Sequence, residues 1–175
     1  MSKSVASRII DRIIEKLKAV DGTGDYEYDV NDRVYRNAIQ VEDVPAFIVS
    51  WAAKERDENI RERRDGSSDN YIGLVETRLT VQVDMLLTNV DGAGNPVDNG
   101  TAIELFEADA ERAIEDINDL QLADPTLSNK ELLIRPLTIS TETLIPREAG
   151  DDVETASISV ICDYFHKIGD PSHVE

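Results

Sequence analysis

The sequence predicts an α+β fold: a mainly antiparallel, mixed β-sheet packed by two α-helices on one face, with an extended arm and a long charged loop. Two apolar stripes at helical spacing and two long segments of period-two alternation carry that expectation. From Val5 to Val20 the apolar residues Val5, Ile9, Ile10, Ile13, Ile14, Leu17 and Val20 recur every three or four positions, which places them on one side of a helix. Arg8, Asp11, Arg12, Glu15, Lys16 and Lys18 fill the other side. Asp21-Gly22-Thr23-Gly24-Asp25 closes it, because glycine just past a helix adopts the left-handed conformation without steric cost.

Residues 25–41, with Tyr26, Tyr28, Val30, Val34 and Tyr35, alternate weakly and read as an extended arm or short edge strand. Pro45 precedes Ala46-Phe47-Ile48-Val49-Ser50-Trp51, an apolar run suited to a buried strand. Residues 54–70 break the pattern with Glu55, Arg56, Asp57, Glu58, Arg61, Glu62, Arg63, Arg64, Asp65 and Asp69, closed by Gly66-Ser67-Ser68. So little apolar surface cannot offset the entropy of ordering, and a mobile charged loop is expected there. In the strand expected over Leu74 to Thr88, Val75, Thr77, Leu79, Val81, Val83, Met85 and Leu87 share one face, with Glu76, Arg78, Thr80, Gln82 and Asp84 on the other. After a turn-rich stretch from Asn89 to Gly100, a second helix is expected from about Thr101 to Leu120. Its apolar side is Ile103, Phe106, Ala110, Ala113, Ile114, Ile117 and Leu120; Glu104, Glu107, Asp109, Glu111, Glu115 and Asp116 make the rest acidic. Asp124-Pro125 and Ser128-Asn129 form a break. Strands over Leu132 to Leu144 and Val153 to His166 follow, joined by a turn holding Pro146 and Gly150-Asp151-Asp152. Residues 167–175 form a flexible tail, and residues 1–175 together make one domain, with no internal repeat.

A chain of 175 residues, 41% of them hydrophobic, is long enough to bury roughly 70% of its unfolded surface. No apolar run reaches the roughly 20 residues that span a bilayer. Met1-Ser2-Lys3-Ser4 leads straight into the helical stripe without a signal-peptide core, and the single Cys162 rules out an internal disulfide. The expectation is folding in a reducing cytoplasm. Thirty-six acidic against 18 basic residues give a formal net charge of −18. That is the wrong sign for tracking a phosphate backbone or an anionic membrane surface; it reads as solubility, or as adaptation to a saline environment.

Catalytic patterns fail one after another. Gly22-Thr23-Gly24 and Gly92-Ala93-Gly94 lack the third glycine and the following Gly-Lys-Ser/Thr of phosphate loops, so both read as turns. Calcium loops counted from Asp91 or Asn89 meet Ala93 at a ligand position and end on Ala102 or Gly100 rather than on a glutamate. Zinc would have only Cys162, His166 and His173, and Cys162 falls on an apolar strand face as a small core residue. No Gly-x-Ser-x-Gly elbow is present, and two histidines leave few ways to build a triad. With so many carboxylates, chance pairs of them say nothing. No catalytic residue, cofactor or metal ligand is assigned, and the expected class is a non-enzyme. Trp51 reads as core packing in preference to an interface anchor, Tyr26, Tyr28 and Tyr35 read equally as either, and the acidic side of the second helix reads as a solvated face.

Four segments resemble the tail-terminator and minor tail proteins of long-tailed bacteriophages. They are the opening helix Ile9-Ile10-Asp11-Arg12-Ile13-Ile14-Glu15-Lys16-Leu17 and the strand Val44-Pro45-Ala46-Phe47-Ile48-Val49 after an extended arm. The other two are the long strand through Val81 and Val83 leading by a loop to Ala108-Asp109-Ala110-Glu111-Arg112-Ala113-Ile114, and the close Tyr164-Phe165-His166-Lys167-Ile168-Gly169-Asp170-Pro171. They are patterns of order and spacing that span nearly the whole chain; the charged 54–70 insert and the strong acidity depart from them. The resemblance implies a virion structural protein at the head-proximal end of the tail, assembled in the host cytoplasm. It implies a ring, commonly a hexamer, that caps the tail tube protein and docks a head–tail connector protein, with DNA crossing the lumen without specific binding and no membrane involved. In such a ring the acidity gains a second meaning, a lumen of like sign to which the polyanion does not stick. A connector, neck or head-completion protein of the same machine is the alternative. A small cytoplasmic enzyme or binding domain using carboxylates is the remote one.

Overall fold

The computed structural model describes residues 3–38, 41, 43–64, 71–88, 100–115, 138–142 and 153–167. The elements run α1 (Val5–Leu17), β1 (Val34–Arg36), β2 (Ala46–Arg64), β3 (Tyr71–Thr88), α2 (Gly100–Glu115), β4 (Thr138–Glu142) and β5 (Val153–Lys167). The five strands form one sheet in the order β1-β2-β3-β5-β4. β1 is parallel to β2; every other neighbouring pair is antiparallel. The fold is therefore the α+β class with a mixed, mainly antiparallel sheet.

Ser4 caps α1, its hydroxyl accepting the Ser7 N–H at 3.2 Å, which satisfies one of the amides that a helix start leaves free. Val5, Ile9, Ile10, Ile13 and Leu17 are buried along the helix. The helix ends three residues earlier than its apolar stripe, yet Val20 stays fully buried and its N–H bonds the Leu17 carbonyl at 3.1 Å. On the sheet, Val75, Thr77, Leu79, Val81, Val83, Met85 and Leu87 of β3 and Ala156, Ile158, Val160, Cys162 and Tyr164 of β5 are all buried, as period two requires. Ile103, Phe106, Ala110, Ala113 and Ile114 of α2 join them, and with α1 they form one core on that side of the sheet. The Phe106 ring stacks on Phe47 of β2 at a centroid distance of 4.6 Å and meets Tyr28 at 4.9 Å, tying helix, strand and arm together.

The arm is anchored rather than loose. Gly22 and Gly24 take positive φ, and a Cβ on Gly22 would approach the Asp29 Cβ at 3.2 Å; the Asp21 carboxylate accepts from the Thr23 N–H and hydroxyl. This segment is a turn, as its glycine spacing implied. The arm delivers only three residues to the sheet. Asn37, at φ 52°, turns the chain away after its N–H has bonded the Val49 carbonyl.

The charged segment differs from expectation. Residues 54–64 continue β2, paired with β3 through Arg64↔Tyr71, with irregularities between Trp51 and Ala53 and between Arg56 and Ile60. A ladder is held by backbone hydrogen bonds, and an edge strand tolerates charge on side chains that no core requires; the lack of apolar residues therefore did not preclude a strand. Residues 65–70 of that expected loop lie outside the described residues. So do the 89–99 stretch with Gly92 and Gly94, the expected helix end at 116–120, the breaks and turns at 124–129 and 143–152, the flanks of β4, and the tail from 168 with His173.

Candidate functional site

The helices cover one face of the sheet; the opposite face divides sharply by charge. At its five-stranded end, register rows run Ile48↔Asp84↔Ser157, Ser50↔Gln82↔Ser159 and Ala53↔Thr80↔Ile161, followed at the rim by Leu86↔Thr155 beside Ala46. Ala46 is buried and the others are half-buried. On β4 the rows continue to Glu142 opposite Ser157, Ser140 opposite Ser159 and Thr138 opposite Ile161, so Asp84 and Glu142 are the charged positions, in a chain with 31% charged residues. The Asp84 carboxylate is engaged by the Gln82 amide at 2.6 Å and by the Ser157 hydroxyl. Small hydroxyl side chains, five aliphatic ones and a hydrogen-bonded Asp84 carboxylate make a surface with little charge to desolvate. The centre of a protein–protein interface has this character.

At the three-stranded end the same face is ionic. The row Glu55↔Arg78↔Asp163 crosses β2, β3 and β5. Arg78 donates from Nε to Asp163 at 2.9 Å and from Nη2 at 3.2 Å, a planar fork that matches a carboxylate. Asp163, through hydrogen bond and charge, with Glu55 and Glu76 adding smaller effects, pushes the guanidinium further into its charged form. Glu55, Arg56, Glu76, Arg78 and Asp163 border a shallow cleft of about 300 Å³. Arg78 and Asp163 pair with one another in its wall, and no nucleophile lies among its described lining residues.

Trp51 departs from expectation. It is 56% exposed, not part of the core. It pairs with the buried Val81 on the helix-covered side, but among the described residues of β2 only Phe47 and Val49 belong to the core cluster. β1 pairs with β2 no further than Val49, two residues before Trp51. Tyr26 and Tyr28 pack against the core, and the Tyr28 hydroxyl donates to the Ala102 carbonyl at 3.0 Å. Tyr35 is half-buried in β1 opposite Ile48.

Asp109 also departs from expectation. Assigned by sequence to the solvated acidic side of the second helix, it is 1% exposed. Its Oδ2 accepts the Glu27 and Tyr28 N–H groups at 2.8 and 3.0 Å, and Arg112 pairs with Oδ1 at 3.2 Å while also donating to the Asp25 carbonyl. Its position carried a legible signal. Asp109 stands three residues after Phe106 and four before Ala113, inside the apolar stripe, where a carboxylate is retained only with partners. Glu104, Glu107, Glu111 and Glu115 remain on or near the surface. Burial, then the like charges of Glu111 and Glu104, raise the Glu107 carboxyl above its ordinary value.

Cys162 is a buried core residue, and burial pushes its thiol up to about 12, away from reactivity at neutral pH. His166 is buried on the same face, with its ring centroid 6.0 Å from that of Tyr164. Among the described residues no three His, Cys, Asp or Glu side chains converge to hold a metal, and no helix is long and apolar enough to cross a membrane. No protein-family model matches the chain, and no curated protein matches its sequence.

Proposed function

We propose that the chain is a virion structural protein, a phage tail-terminator-like subunit that assembles into a ring, most simply a hexamer, capping the tail tube and docking the head–tail connector. The observation that supports this best is the charge-poor open face at the five-stranded end of the sheet. A monomer this acidic has no solubility reason to hold one end of a sheet face to two charged positions, Asp84 and Glu142; a subunit whose face meets a neighbour does, since every charge buried there would need a partner. A ring also needs two different surfaces whose rotation closes, and the sheet offers an open face distinct from its helical one. Six copies carry six times the −18 formal charge. An acidic lumen would then let DNA pass by like-charge repulsion within a screening length of about 8–10 Å.

The test is assembly, alone and with purified tail tubes, followed by light scattering and electron microscopy. Rings, or caps seated on tube ends, are expected from the unmodified chain. Ser159→Arg, which puts an unmatched charge in the middle of the open face, is expected to abolish them while the circular dichroism spectrum and melting temperature stay close to the parent's. A chain that stays monomeric alone and ignores tube ends removes the reading.

A further inference from the structure

Beyond Trp51, the helix side of β2 carries two cations. Lys54 stands opposite Leu79 and Arg56 opposite Thr77, and directly opposite residues of an antiparallel pair project to the same side of a sheet. Leu79 and Thr77 are fully buried, whereas Lys54 and Arg56, like Trp51, are exposed. Glu55, between them in sequence, stands opposite Arg78 on the other side. Burial dominates the rise of the Tyr164 hydroxyl, and the opposing pull of Arg56 places that guanidinium on the Tyr164 side of the sheet. None of the ion pairs among the described residues involves Lys54 or Arg56. Burial, then the charge of Arg56, lowers the Lys54 ammonium below its ordinary value. In a chain of net charge −18, an exposed indole followed by two such cations is a basic shelf. The two cations are about 6.6 Å apart along the strand.

α2 carries the complement. Glu104, Glu107 and Glu111 recur at spacings of three and four, on the side of the helix away from its buried stripe. None of them ion-pairs with a cation among the described residues, and the like charges of Glu111 and Glu104 add to burial in raising the Glu107 carboxyl. Glu107 and Glu111 are about 6 Å apart along the helix axis, close to the spacing of Lys54 and Arg56. Leu105 flanks the acidic stripe and is 44% exposed; with Trp51 it makes up the exposed large apolar side chains of the described residues. Each element therefore presents crowded like charges beside one exposed apolar side chain, with opposite sign and matching spacing. We propose that the acidic outer side of α2 in one copy docks on the Trp51-Lys54-Arg56 shelf of the next copy, Glu107 and Glu111 meeting Lys54 and Arg56 while Leu105 covers Trp51. Charge crowding on each element is relieved by the other. The two surfaces differ, so the contact is head-to-tail, closing into a ring or continuing as a filament. It lies on the helical side of the sheet, apart from the charge-poor face, and it goes beyond the ring reading without resting on it.

Sedimentation equilibrium of the full chain is expected to show self-association that weakens with salt. Lys54→Glu/Arg56→Glu makes both surfaces acidic, and Glu107→Lys/Glu111→Lys makes both basic. Each double variant is expected to weaken self-association at least about tenfold, with circular dichroism unchanged because all four side chains are exposed or half-buried. Mixing the two variants in equal amounts sets each acidic shelf against a basic helix and each basic shelf against an acidic one. The mixture is expected to recover most of the association, although both variants remain strongly acidic overall. A parent chain that stays monomeric, double variants that associate like the parent, or a mixture no better than either variant alone each overturns the docking. Rings that form unchanged from either double variant overturn it while leaving the ring reading standing. Association that is lost in each variant, restored in the mixture, and unable to cap tail tubes supports the docking and counts against the ring.

Discussion

Asp109 is a buried carboxylate that holds two backbone amides from a segment more than 80 residues away in sequence. Replacing it with alanine leaves the Glu27 and Tyr28 N–H groups without their acceptor and Arg112 without its side-chain partner. Asp109→Ala is expected to lower unfolding stability by about 2–3 kcal/mol, with Asp109→Asn losing roughly half as much, as read by urea denaturation; a loss below about 0.5 kcal/mol contradicts the anchoring role. Trp51 makes the opposite prediction. As the sole tryptophan, and a largely exposed one, it is expected to emit like an indole in water and to be quenched by iodide in the folded protein. Trp51→Ser should then change stability by no more than about 0.5 kcal/mol. A blue-shifted, quencher-shielded emission contradicts its placement. Neither residue was placed by sequence alone, for different physical reasons. The Asp109 stripe position was visible, but its compensating amides come from a distant segment. The exposure of Trp51 depends on what the fold lays over that stretch of β2, which period-two alternation cannot register.

Within elements, charge and burial give two pH-dependent predictions. The Glu107 carboxyl is raised above 4.5 by burial and by its acidic neighbours, so its charged form is disfavoured in the fold. Its stabilising contribution is present below about pH 4.5 and is lost as the pH rises through the folded value. Glu107→Gln is expected to stabilise α2 by about 0.2–0.5 kcal/mol at pH 7 and to make no difference near pH 3. In β5, burial raises the Cys162 thiol from 9.0 to about 12 and the Tyr164 hydroxyl from 10.0 to about 12. Both are proton-bound more tightly in the fold than out of it, so stability is full below pH 9 and falls between pH 9 and 12. Thermal melts across that range should decline, and Cys162→Val should remove the thiol's share; a flat profile contradicts the burial of both groups. The elements themselves were legible wherever side chains carry the pattern, in the buried stripe of α1 and the alternating faces of β3 and β5. They were illegible where the backbone carries it. Residues 54–64 have no apolar rhythm because their ladder to β3 needs none, and the length of β1 is decided by the positive φ of Asn37.

For the whole molecule, the described residues of the sheet present three unlike surfaces: a helix-packed core side, a charge-poor end, and an ionic end around Arg78 and Asp163. The α+β class followed from helical and strand periods alone, whereas the partition of the open face did not, because it depends on which strands lie side by side. Ser50, Gln82 and Ser159 come from three separate segments and become one surface only through the register. The Asp109 tie has a further consequence for the order of folding. Its two amides are held by a helix that enters the chain long after they do, so they gain protection from solvent exchange only when α2 docks. The exchange rates of the Glu27 and Tyr28 amides are therefore a built-in clock for that docking event, readable in the unmodified protein and lost in Asp109→Ala.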